Sequence, residues 1–134
     1  MPLCPLDYRY GRDKVKDIWS DMGRHGRQLE VERALVWAHK ELGRVTQSDY
    51  DAVAAISNPS IVTKERVEEI EQETRHDIMA LTKAMAEKAG DAGWCIHLGA
   101  TSNDIVDTAV ALQIRDSIDQ QFEVLKKLIS TIAD

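Results

Sequence analysis

Between Thr101 and Asp134 the sequence carries no glycine and no proline. A run of that length without a breaker has one economical solution, a long helix. Its apolar residues agree. Ile118, Phe122, Leu125, Ile129 and Ile132 recur at steps of four, three, four and three, the seven-residue spacing of a bundle helix. Ile105, Val106, Ala109, Val110, Leu112 and Ile114 are apolar on more than one face, so this half is expected to be buried on several sides. The run meets Asp134 with neither a capping glycine nor a proline. We therefore expect a cut inside a helix, and an incomplete all-α piece.

The rest of the chain follows the helical period. Residues 1–12 read as an extended, proline-marked lead. Val15, Ile18, Trp19 and Met22 then open a helical stripe, which Gly23 and Gly26 are expected to interrupt or bend. Val31, Ala34, Leu35, Ala38 and Leu42 resume it, and Gly43 sits just past the end. Thr46-Gln47-Ser48-Asp49 resembles a capping box opening a short helix near residues 47–57, closed by Asn58-Pro59-Ser60. Thr63 caps a helix predicted to run unbroken to Gly90, with Val67, Ile70, Thr74, Ile78, Leu81 and Met85 as its stripe. Residues 90–100 lack a helical period and read as a loop anchored by Trp94. Three tryptophans, three tyrosines and one phenylalanine make a strand-poor composition.

The net charge of −6 gives no electrostatic footprint for nucleic acid or an anionic membrane. No run of apolar residues is long enough to span a bilayer, and the first residues lack a signal peptide's apolar stretch. Cys4 and Cys95 are far apart, outside any CxxC. No metal or disulfide framework is expected, and a cytoplasmic location fits.

Three places concentrate polar residues. Arg9-Tyr10-Gly11-Arg12 could grip a phosphate through guanidinium forks, or be a solvated basic segment. Arg75-His76-Asp77, expected in mid-helix and pointing away from the apolar stripe, reads as a solvent-facing patch or as the polar lining of a shared site. His97-Leu98-Gly99-Ala100-Thr101-Ser102-Asn103-Asp104 runs from a glycine loop into a helix N-terminus. That is an anion site in waiting, or plain capping. His25 and His39 are expected to be solvated, and Met79 and Met85 to fill the core. Asp104 and Asp107 read as helix-start charges.

Taken together, these strings resemble the adenylosuccinate lyases of the fumarase/aspartase superfamily. Tyr8-Arg9-Tyr10-Gly11-Arg12, Ile18-Trp19-Ser20 and Leu29-Glu30-Val31-Glu32 match in order. Glu73-Thr74-Arg75-His76-Asp77-Ile78 resembles the family's ETxHDI-type helix. Trp94 to Thr108 resembles its WVHxGxTSxDxxDT loop, with Cys95 and Ile96 as minor departures. The resemblance implies an all-α fold. Residues 1–101 would form an N-terminal helical domain, and residues 102–134 the start of the long-helix bundle of a homotetramer. It implies β-elimination of fumarate from adenylosuccinate, and from the related succinyl-carboxamide ribotide, in purine biosynthesis without metal or cofactor.

By the same resemblance, Arg9 and Tyr10 would bind the phosphate end. Arg75, His76 and Asp77 would contact substrate, and His76 would also orient the general-acid histidine. Thr101 and Ser102 would hold a succinyl carboxylate. His97 would position the phosphate or the leaving group. The family's general-acid motif and its serine-rich base loop are absent from this sequence, so this chain alone is expected to be inactive. A sister lyase or cycloisomerase, or a non-catalytic helical association module, are the other readings.

Overall fold

The structure, a computed structural model, describes residues 10–133. The expectations for Arg9 and for the preceding residues therefore lie outside the described residues. Among these the regular elements are all helical: α1 (Asp13–Ile18), α2 (Asp21–Glu41), α3 (Gln47–Ile56), α4 (Lys64–Thr74), α5 (Asp77–Ala89), a 3₁₀ turn (Gly90–Cys95) and α6 (Ser102–Ala133). No helix among the described residues is long and apolar enough to cross a membrane.

The predicted caps open their helices. Thr46 accepts the Asp49 N–H at 3.1 Å and returns its own hydroxyl to the Asp49 carboxylate at 2.8 Å. Thr63 accepts from the Arg66 N–H. The break between α1 and α2 falls at Trp19-Ser20, with Ser20 capping α2. Gly23 and Gly26 do not interrupt α2, which runs straight through both. Gly23 serves another purpose. A Cβ there would lie 2.2 Å from the Asp17 carbonyl oxygen, so only glycine lets α2 pass the end of α1.

Two expectations about α2 are overturned. Its buried face is not the apolar stripe Val31, Ala34, Leu35, Ala38, Leu42; Ala34 and Leu42 are exposed. The buried seam is His25, Leu29, Glu32, Val36 and His39, with Val31 at its edge. His25 and His39 are thus buried rather than solvated. Each satisfies a loop carbonyl: His25 Nε2 donates to Val62 O at 2.6 Å, and His39 Nε2 to Leu98 O at 2.7 Å. Most buried polar groups are so paired; His39 Nδ1, on the other side of its ring, has no partner among the described residues.

The helix expected from Thr63 to Gly90 is a hairpin. Arg75 adopts a left-handed backbone (φ 53°) and His76 an extended one, so α4 and α5 fold back on each other. Arg66, at the start of α4, forms a two-pronged ion pair with Glu87, near the end of α5, at 2.7 and 2.9 Å. One straight helix would hold these residues about 30 Å apart. The stripe stays in register across the turn because Val67 and Ile70 on one arm, and Ile78, Leu81 and Met85 on the other, face the same core. Met79 is exposed, so of these two Met85 alone is a core methionine.

The first half of α6 lies along α2 and α1. Ile105, Ala109, Gln113 and Ser117 are buried, while Ile114 stays exposed, so the burial is one-sided. Polar clasps hold this seam: Arg27 to Asp116, Gln113 Nε2 to Ile18 O at 2.5 Å, and Trp19 Nε1 to Ser117 Oγ at 2.8 Å. Beyond Ser117 the stripe Ile118, Phe122, Leu125, Ile129, Ile132 is exposed.

Candidate active site at two helix starts

The hairpin turn brings the N-terminus of α5 beside the N-terminus of α6. His76 caps α5: its Nδ1 accepts the Met79 N–H at 3.2 Å. An accepting Nδ1 leaves the proton of the neutral ring on Nε2. That nitrogen lies 3.3 Å from Ser102 Oγ, on the first residue of α6. The Nε2–H therefore donates to the serine oxygen, and the serine hydroxyl proton is free to donate elsewhere. Arg75-His76-Asp77 is thus not a mid-helix patch but the junction of the hairpin. No glycine, asparagine or proline marks that reversal, so the sequence period ran through it. Arg75, His76 and Asp77 are all exposed.

At α6, Asp104 bends back to accept the Thr101 N–H at 2.8 Å. That is the return half of a capping box, and it bears out Asp104 as a helix-start charge. Among the described residues the Thr101 hydroxyl makes no hydrogen bond. Two helix N-termini, each with a partial positive charge, converge here. At α5 the Ile78 and Met79 N–H groups are already taken by Asp77 and His76. The free donors are those at the start of α6, with the Thr101 and Ser102 hydroxyls beside them. Such an arrangement attracts a carboxylate or phosphate.

The loop before α6 is built from beneath. Cys95 and Ile96 are its buried anchors, whereas Trp94 points outward, contrary to the anchor expected of it. Cys95 Sγ donates to Ala92 O, and burial pushes the thiol up. His97 has a left-handed backbone (φ 61°), which costs a non-glycine residue about 1–3 kcal/mol. Glu32, fully buried on α2, meets it twice. The His97 backbone N–H lies 3.1 Å from Glu32 Oε2, and Nδ1 lies 2.7 Å from Oε1. Burial pushes the Glu32 carboxyl up, and the His97 contacts pull it partly back. Sequence reasoning passed over Glu32 and His39 as site supports. The available signal was their heptad spacing around Leu29 and Val36 on one helix.

Tyr10 is exposed at the first described residue, and no hydrogen bond among the described residues joins it to this cluster. Among the described residues no three His, Cys, Asp or Glu side chains are placed to hold a metal ion.

The model of the family described as Lyase matches residues 7–134. The adenylosuccinate lyase of Archaeoglobus fulgidus is 47% identical over all of this chain. That of Pyrococcus horikoshii is 42% identical over 98% of it. The chain spans only 29% of the length of each relative. The solved structure of 3-carboxy-cis,cis-muconate lactonizing enzyme from Pseudomonas putida superposes with a TM-score of 0.82 at 29% identity, covering 95% of this chain and 30% of that one.

Proposed function

This chain belongs to the Lyase family, and from that premise we propose that it supplies one part of the active site of an adenylosuccinate lyase. The reaction is β-elimination. A base removes a proton beside a carboxylate of the succinyl group, the C–N bond breaks, and a general acid protonates the departing nitrogen, leaving AMP and fumarate. Negative charge gathers on the carboxylate as the proton leaves, so fixed donors there stabilise the transition state. The His76–Ser102 contact between two helix starts carries this reading, because it fixes the Ser102 oxygen and leaves its hydroxyl proton free to meet an anionic group. Ser102, Thr101 and the free N–H groups of α6 hold the succinyl carboxylate. Arg75, His76 and Asp77 line the substrate, and His76 orients the general acid. His97 positions the phosphate or leaving-group end, with Arg9 and Tyr10 reaching the phosphate.

The same reading places residues 1–101 in an N-terminal helical domain and residues 102–134 in the bundle of a cytoplasmic homotetramer. The general acid and base come from segments that this sequence does not contain. No metal or cofactor takes part. The succinyl-carboxamide ribotide is a second substrate.

The likeness to the Pseudomonas putida enzyme favours one other reading, a cycloisomerase of the same fold. An absorbance assay on the complete protein separates them. Fumarate release from adenylosuccinate, lost in His76→Ala, is expected, with no turnover by residues 1–134 alone. Turnover by residues 1–134 that depends on His76, or lactonisation in place of elimination by the complete protein, would overturn the proposal.

A further inference from the structure

We propose that Glu32 is a positioning residue for the reaction: it fixes the proton of the His97 ring on Nδ1 and leaves Nε2 as the nitrogen that meets the substrate. The inference rests on the reading of this cluster as a substrate site. The geometry carries it further than the sequence motif does. Glu32 sits on α2, far from His97 in the chain, and its side chain is fully buried. Its two oxygens face two different nitrogens of one residue, the backbone N and Nδ1. Ionised, as the two His97 contacts favour, Glu32 accepts at both oxygens, so the backbone N–H and an Nδ1–H both donate to it.

The backbone contact matters as much as the ring contact. His97 stands in a left-handed conformation that it adopts only because something holds it there. The same carboxylate that holds the backbone therefore sets the ring's position and its tautomer together. Nε2 makes no hydrogen bond among the described residues, and the side chain is partly open to solvent. Protonated at Nε2, the ring becomes a donor to an anionic group of a nucleotide, with the carboxylate as its counter-charge behind. His39 steadies the next residue of the loop through Leu98 O, so α2 grips this loop at two successive residues.

The test uses the imidazole nitrogens as reporters. Long-range ¹H–¹⁵N correlation spectra of residues 1–134 at mildly alkaline pH should show His97 protonated at Nδ1 and bare at Nε2. In Glu32→Gln the amide keeps its oxygen for the His97 backbone N–H and turns its NH₂ towards Nδ1. The tautomer should then reverse, with the proton on Nε2. A glutamate that held only the His97 backbone N–H would not move that signature. An Nε2-protonated ring in the parent, or an unchanged tautomer in Glu32→Gln, overturns the proposal. If Glu32→Gln does not fold, the parent spectrum decides alone.

In the complete protein, Glu32→Gln should lower kcat/KM for adenylosuccinate by about 10- to 100-fold, by analogy with the loss of the carboxylate that orients a metal-bound histidine. An unchanged kcat/KM in a folded variant overturns the positioning role. A complete parent protein that leaves adenylosuccinate untouched defeats the reading of the site instead, and the tautomer result still stands on its own.

Discussion

Ser102 has two possible duties that separate cleanly by experiment. As a donor to a substrate carboxylate, its hydroxyl makes a bond to a charged group, worth about 1.5–3 kcal/mol. Ser102→Ala in the complete protein should then lower kcat/KM by roughly 10- to 150-fold at an unchanged Tm. As a cap it would instead lose stability, on the order of 1 kcal/mol, with kcat/KM intact. The structure favours the first outcome. Asp104 already serves the start of α6, and the Ser102 oxygen is engaged by His76 rather than by its own helix. Measuring thermal midpoint and kinetics side by side decides it. His97 needs more care. Its removal leaves the buried Glu32 short of a partner, which costs about 1–3 kcal/mol by itself.

At the scale of elements, the two glycines of α2 should respond oppositely to alanine. At Gly26 a new Cβ meets only Pro59 Cγ, at an ordinary 3.6 Å. Gly26→Ala should therefore raise stability by up to about 1 kcal/mol, through helix propensity. At Gly23 the new Cβ would strike the backbone carbonyls of Asp17 and Ile18 at 2.2 and 2.6 Å, so Gly23→Ala should lower Tm. Denaturant melts of the two variants check the signs.

The α4–α5 hairpin makes a pH prediction. Arg66 holds the Glu87 carboxyl below its usual value. The unfolded chain takes up that proton at a higher pH than the folded chain does. The clasp's contribution is thus present above the ordinary glutamate pKa and fades as pH falls through the lowered folded one. Glu87→Gln should lower Tm slightly at neutral pH and not in acid, and high salt should shrink the difference, since the pair is exposed. A difference that grows in acid would show that the clasp is not what the substitution removes.

At the scale of the molecule, the second half of α6 presents Ile118, Phe122, Leu125, Ile129 and Ile132 to solvent. One helix cannot bury such a stripe alone, and an apolar surface of this extent seeks a partner. Sedimentation of residues 1–134 should show dimers or larger species. Phe122→Glu with Ile129→Glu should shift them to monomer while leaving the α2–α6 clasps in place. A well-folded monomer at high concentration would count against this.

The sequence by itself determined the elements whose causes are local. Caps at Thr46 and Thr63 need only residues three apart, and α6 needs only an unbroken run with a seven-residue spacing. The motif strings also pointed to the family and to most of the candidate site, since Arg75-His76-Asp77 and Thr101-Ser102 are contiguous. Only the tertiary structure decided three things. It turned the chain back at Arg75, because packing two arms of one stripe face to face outweighs the cost of a left-handed arginine. It chose the polar seam of α2 over the apolar one, because Val62 O, Leu98 O and His97 supply partners that lie far away in the chain. And it joined His76 to Ser102, because that contact depends on where two helices begin in space, which no spacing along the chain records.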